Sequence, residues 1–306
     1  MLDGFTSTVA DIGETTIFLR RSGDGPPLLL LHGFPETHLM WHRVAPVLAR
    51  DFTVICPDLR GYGSSGKPSS TSDHAPYAKA AMARDMIAMM EQQGFRRFAI
   101  AGHDRGGRVA YRLAIDHPGR VDRLAVLDII PTGDVLARTS VSSALTFWPW
   151  SLLSQAEPLP ERLILADPAA VVDDALGQWG SDPACFPAAL RAAYVAALAN
   201  PATVHAVCEE YRASVTIDDA MDRADQAAGR RIACPTLALW SKGGGLDRWY
   251  ESVGGPLGIW RQWAPAVVGR AIAGGHFFPE QNPDETIAEL AAFFLPGSDG
   301  GIDGNA

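Results

Sequence analysis

Gly102-His103-Asp104-Arg105-Gly106 is the stretch of this chain whose residue types and spacing carry the most chemistry. An apolar run, Phe98-Ala99-Ile100-Ala101, precedes it, and an apolar, helix-like run from Val109 to Ile115 follows. Small residues two places to either side of a central residue, at a strand-to-helix turn, let the backbone turn sharply and present that residue as a nucleophile. The central residue here is Asp104. A serine alkoxide suits acyl transfer at a carbonyl. A carboxylate instead displaces a leaving group from saturated carbon and forms an alkyl ester, which water must then cleave. Carbon–halogen bonds and epoxides suit that chemistry better than peptides or ordinary esters.

Cleaving such an ester needs a base for water. Asp104, Asp128 and His276 follow one another as nucleophile, acid and histidine, the chain order of α/β-hydrolase triads. Asp128 closes the apolar run Leu124-Ala125-Val126-Leu127, and His276 follows Ile272-Ala273-Gly274-Gly275. In this reading Asp104 attacks carbon, His276 takes a proton from water, and Asp128 orients the imidazole and stabilises its positive form. Asp247, just after the next apolar run, is the alternative orienting acid. The oxyanion formed on the Asp104 carboxyl needs backbone N–H groups. Arg105, next after the nucleophile, and Phe34, in the turn His32-Gly33-Phe34-Pro35, are the candidates.

Arg105 and Arg108 stand three apart at the start of the helix that Asp104 opens, so their side chains can share a face beside the nucleophile. The helix N-terminus adds partial positive charge. Two guanidinium groups there match a small carboxylate substrate held by charge-assisted hydrogen bonds, not a neutral, greasy one.

The elements that position these residues are legible as alternation. Five runs, Pro27–Leu31, Phe52–Cys56, Phe98–Ala101, Leu124–Leu127 and Leu237–Trp240, are continuously apolar, as suits central parallel strands buried on both faces. Amphipathic segments lie between them; Met82, Met86, Met89 and Met90 recur at helical spacing. The pattern predicts a mostly parallel, doubly wound α/β sheet. The alternation lapses between about Thr132 and Ala228, a helical stretch rich in Ala, Trp and Pro. The economical division is a core of 1–131 and 229–296, a helical cap of 132–228 over the carboxyl ends of the strands, and a disordered tail of 297–306.

Composition bounds the rest. The chain has 306 residues, 47% hydrophobic and 20% charged, with a formal net charge of −9. No Lys/Arg run is present, which argues against a nucleic-acid surface. No apolar run approaches the roughly 18 residues of a membrane span, and the first residues do not read as a secretory signal. Cys56, Cys185, Cys208 and Cys234 are widely separated, so neither a disulfide framework nor a zinc site is expected, and no metal or cofactor is. A reducing, cytoplasmic location fits.

With these residues in place, the sequence closely resembles the fluoroacetate (haloacetate) dehalogenases of the α/β-hydrolase superfamily. The matching segments are Gly-His-Asp-Arg-Gly-Gly-Arg from Gly102 to Arg108, the turn from His32 to Pro35, Gly-Gly-His-Phe-Phe-Pro-Glu from Gly274 to Glu280, and the stretches 38–46, 125–132 and 208–213. The similarity runs from about Gly23 to Pro296, and its Asp-Arg-x-x-Arg element is the specific part. It implies cofactor-free hydrolysis of a 2-haloacetate to glycolate and halide, with Asp104 as nucleophile, His276 as base, Asp128 as its partner, Arg105 and Arg108 on the carboxylate, and a possible homodimer. In the family a His, a Trp and a Tyr donate to the leaving halide. Trp150 and Tyr211 match the last two, but Pro149 replaces the His. Proline has neither a ring donor nor a backbone N–H, which predicts better turnover of chloro- and bromoacetate than of fluoroacetate. Trp148 is the candidate substitute donor, and Trp179 a candidate limit on substrate size. Two other readings remain. An epoxide hydrolase would use Tyr211 and Tyr194 as acids, whereas a non-catalytic small-molecule receptor would have no use for a water-activating base.

Overall fold

The computed structural model describes residues 1–295; the tail expected to be disordered lies outside them. Eight strands form one sheet in the order β1-β2-β4-β3-β5-β6-β7-β8. They are β1 (Thr6–Asp11), β2 (Thr16–Ser22), β3 (Pro27–Leu31), β4 (Thr53–Pro57), β5 (Phe98–His103), β6 (Val121–Leu127), β7 (Thr236–Ser241) and β8 (Val267–Ile272). β1 and β2 pair antiparallel, as do β2 and β4; every other pairing is parallel.

The apolar strands are continuous because both faces of the sheet are covered. In β3, Leu29 and Leu31 join a core containing Met82, Met86 and Val109, while Leu28 and Leu30 join another containing Trp41, Phe52 and Leu290. All four leucines are fully buried. Burying a leucine side chain is worth about 1.5–3 kcal/mol, so this strand strongly pins the centre of the sheet. The methionine stripe lies on the helix Lys79–Gln92, and all four of its methionines are buried.

Between β6 and β7 the chain forms only helices, from Thr132 to Ala227. They include Trp148–Leu153, Pro168–Gln178, Ala188–Leu198 and Pro201–Ala213. This insertion contributes Trp150, Trp179, Glu210 and Tyr211 to the site described next. No helix among the described residues is long and apolar enough to cross a membrane.

Candidate active site

β5 ends at His103, and Asp104 opens the helix Asp104–Asp116 with φ of +44°. That left-handed conformation is disfavoured for any residue with a Cβ, and it persists here because the surrounding turn is crowded. A Cβ on Gly106 would lie 2.5 Å from the His32 carbonyl oxygen, and one on Gly33 would lie 2.6 Å from the Asp104 Cβ. The small residues of the motif are therefore there for backbone contact. The Phe34 amide donates to Asp104 Oδ1 at 3.0 Å, as an oxyanion donor would. Arg105 follows Asp104 in the first turn of the helix, where backbone amides lack intrahelical partners.

Asp128 directly follows β6 and also has positive φ, at +52°. Its Oδ1 accepts the Ser241 amide at 2.8 Å, and its Oδ2 accepts His276 Nδ1 at 2.6 Å. With Nδ1 donating, His276 Nε2 is the bare acceptor. That atom is buried and has no protein partner, as a base awaiting water requires. Asp247 is not the orienting acid: it accepts from Trp240 Nε1 at 2.9 Å and from the Gly243 amide at 2.8 Å.

Asp104 is fully enclosed. Burial alone would raise its pKa, but the His276 imidazole, the Arg105 guanidinium, the His103 imidazole and the Arg108 guanidinium around it outweigh burial and hold it below the ordinary carboxylate value. Asp104 stays ionised.

The two arginines differ in their partners. Arg105 Nε donates to Glu210 Oε1 at 2.9 Å, and its Nη2 donates to Ser214 Oγ at 2.6 Å. Glu210 also receives Lys79 Nζ at 2.7 Å and the Tyr62 hydroxyl at 2.5 Å. Burial opposes ionisation of Glu210, but Arg105 and Lys79 prevail and lower its pKa to about 2. Arg105 keeps a single unpartnered atom, Nη1. Arg108 has no carboxylate partner; its Nη1 donates to the Ile130 carbonyl and to Thr132 Oγ1, both at 3.1 Å, and its Nε is buried and unpartnered. Burial, then the charge of Arg105, pull the Arg108 pKa below its ordinary value.

Asp104, Arg108, Asp128 and His276 line one narrow cavity of about 20 Å³, closed by Phe147, Pro149, Trp150, Trp179 and Tyr211 among others. That space holds about one water, so only a very small substrate fits without side-chain movement. Trp150 and Tyr211 pack edge to face with ring centroids 5.7 Å apart. The Arg105 guanidinium lies 4.0 Å from the Tyr211 ring centroid, and that of Arg108 lies 4.6 Å from the Trp150 ring. The cations thus fix the two aromatic rings as well as the local potential.

Of three other expectations, two end elsewhere. Trp148 Nε1 donates to Asp174 at 2.7 Å and faces no halide. The Tyr194 hydroxyl donates to Glu280 at 3.0 Å in the buried interior, so it is not a second acid. Trp179 does line the cavity.

Sequence reasoning missed a buried group behind the nucleophile. His103 Nε2 donates to the His276 carbonyl at 2.9 Å, and His103 Nδ1 lies 3.1 Å from Glu36 Oε2. Burial pushes the Glu36 pKa up to about 8, and burial plus Glu36 push Glu280 well above its usual value. These carboxyls are held protonated, and His103 ties them to the loop bearing the base. His103 was visible inside the motif; its distant partners were not.

The profile of the alpha/beta hydrolase fold family matches residues 26–283. A fluoroacetate dehalogenase of Burkholderia sp. is 42% identical over 297 residues, covering 96% of this chain and 95% of that one. The chain belongs to the haloacetate dehalogenase family of the α/β-hydrolase superfamily. A soluble epoxide hydrolase of Corynebacterium sp. is 32% identical, covering 90% of this chain and 92% of its own length. A solved structure from Nostoc sp. PCC 7120 superimposes with a TM-score of 0.93 at 43% identity, covering 97% of this chain and all of that one. The α/β-hydrolase fold therefore accounts for nearly the whole chain.

Proposed function

We propose that this haloacetate dehalogenase family member is a hydrolase that cleaves the carbon–halogen bond of a small 2-haloacid, converting haloacetate to glycolate and halide. One observation carries the reading: Arg108, a buried guanidinium without a carboxylate partner, lines the same narrow cavity as Asp104 and His276. A buried cation left so needs an anionic ligand.

The substrate carboxylate binds to Arg108 Nε and Arg105 Nη1, placing its α-carbon over Asp104. Phe34 holds Oδ1, so Oδ2 attacks. The new C–O bond forms as the C–X pair leaves with the halide, toward the indole N–H of Trp150 and the hydroxyl of Tyr211. His276 Nε2 then takes a proton from water, which adds to the ester carbonyl carbon of Asp104. The Phe34 amide meets the oxyanion, Asp128 stabilises the imidazolium, and collapse returns the proton to the departing glycolate oxygen.

Two further features shape the choice of substrate. Pro149 lines the cavity and offers no donor. Loss of one donor aimed at developing charge costs about 10²–10³ in rate, and fluoride, the poorest leaving group, depends on donors most. Chloride and bromide are therefore expected to leave faster than fluoride. The similarity to an epoxide hydrolase supports that alternative, but Tyr211 is the only tyrosine among the residues lining the reaction cavity. A receptor would not require an unpartnered imidazole nitrogen. The four free thiols favour a reducing, cytoplasmic setting.

The test is free halide released from chloroacetate and fluoroacetate side by side, with Asp104→Asn as control. Asp104-dependent chloride release supports the reading, and Pro149→His should raise the fluoride-to-chloride rate ratio. No release of either halide, together with turnover of a small epoxide, would overturn it.

A further inference from the structure

Four buried polar atoms at or beside the reaction cavity lack a protein partner: Arg105 Nη1, Arg108 Nε, His276 Nε2 and Trp179 Nε1. The proposed reaction uses the first three and leaves the fourth without a role. Native proteins rarely bury an N–H unmet, and an indole nitrogen can only donate.

Trp179 is firmly held. It follows the helix Pro168–Gln178 and is 9% exposed. Its carbonyl accepts the His276 amide at 2.8 Å. Its ring stacks on Phe277 at 5.8 Å and 15°, and meets His276 edge to face at 5.4 Å. A ring so tied to the loop of the base cannot readily turn its N–H to another protein acceptor. A ligand entering the cavity can bring that acceptor. A 2-haloacetate has two accepting groups, the carboxylate and the halogen, and the carboxylate is met by the two guanidinium groups.

We propose that the Trp179 N–H is a third donor to the leaving halide, in addition to Trp150 and Tyr211, on a wall of the cavity apart from Pro149 in sequence. The inference rests on the haloacid reading. Bond making and breaking are unchanged; the N–H stabilises the electron pair that departs with the halide. Because fluoride concentrates that charge most, Trp179 bears chiefly on defluorination and partly offsets the donor missing at Pro149.

Two measurements test it. Trp179→Phe keeps the ring and removes the N–H. The fluoride-to-chloride ratio of kcat should fall by roughly tenfold or more, within the range set by losing one charge-directed donor. A purely structural role would lower both rates together and leave the ratio unchanged. Independently of turnover or of how well the variant folds, crystals of the wild-type protein soaked in bromide should show an anomalous peak touching Trp179 Nε1. Bromide on Trp150 and Tyr211 without Trp179, no bromide in the cavity, or an unchanged rate ratio overturns the proposal. Bromide on Trp179 in a protein that releases no halide would leave this anion site standing and refute the haloacid reaction instead.

Discussion

Replacing the two arginines one at a time should separate their jobs, because their partners differ. Among the described residues Arg108 hydrogen-bonds the Ile130 carbonyl and Thr132 Oγ1 and lies over the Trp150 ring, while its Nε is buried and unpartnered. Arg108→Gln removes a charge-assisted hydrogen bond worth about 1.5–3 kcal/mol. If that bond is made equally in ground and transition states, the loss falls on KM, a rise of roughly 10- to 150-fold. Its effect on unfolding should be small, since no ion pair is broken. Arg105 carries a structural role in addition to its contact with the substrate carboxylate. It is fully buried against Glu210, whose pKa of about 2 records how strongly its charge is held. Arg105→Gln leaves that carboxylate with Lys79 as its one cation beside the Tyr62 hydroxyl, and breaking one partner of a buried pair costs about 3–5 kcal/mol of stability. Steady-state chloroacetate kinetics and denaturant unfolding on the two variants form the assay. Unchanged stability in Arg105→Gln, or an unchanged KM in Arg108→Gln, would refute the division.

The remaining predictions concern the buried carboxyls and the cavity wall. Glu36 has a folded pKa of about 8 against an ordinary 4.5. Between those values the folded state holds a proton that the unfolded chain has released, so stability falls as pH rises across the window. Glu36→Gln, which cannot ionise, should lose less Tm than wild type between pH 5 and pH 8.5; identical losses would contradict the assignment. Phe147, with Val135 and Trp150, lines both the reaction cavity and an apolar hollow of about 150 Å³ that also involves Leu136, Ala144 and Tyr250. Phe147→Ala should extend turnover to 2-chloro acids with longer alkyl chains, by up to about fourfold in kcat/KM per added methylene buried. An unchanged chain-length profile would rule Phe147 out as the limit.

Much of this architecture is legible along the chain, and the physical reason for each success and failure is specific. The five apolar runs are strands β3 to β7 because central parallel strands bury both faces, leaving no polar alternation to confuse the reading. β1, β2 and β8 escape it because they carry exposed or half-exposed positions throughout and lie at or near the sheet margins. Asp104, Asp128 and His276, which the fold brings to one cavity, stand out in the sequence because strand ends and the Gly-rich turn mark them locally. The fate of a long side chain is not readable, because it depends on a partner far away in sequence. Arg105 finds Glu210, Trp148 finds Asp174 and Tyr194 finds Glu280 only in the fold. Glu36 illustrates the limit further. It follows the turn directly, yet its role depends on burial beside His103, which sequence spacing cannot convey.

The central claim is that Asp104 becomes an ester and that water attacks the carboxyl carbon, not the substrate. A single turnover in H₂¹⁸O, with enzyme in excess over chloroacetate, tests it directly. Mass spectrometry of the Asp104 peptide and of the glycolate locates the label. The account predicts one ¹⁸O in the Asp104 carboxyl and an unlabelled glycolate hydroxyl. Label in the glycolate with none in Asp104 would mean that water displaces the halide directly, and would contradict the account.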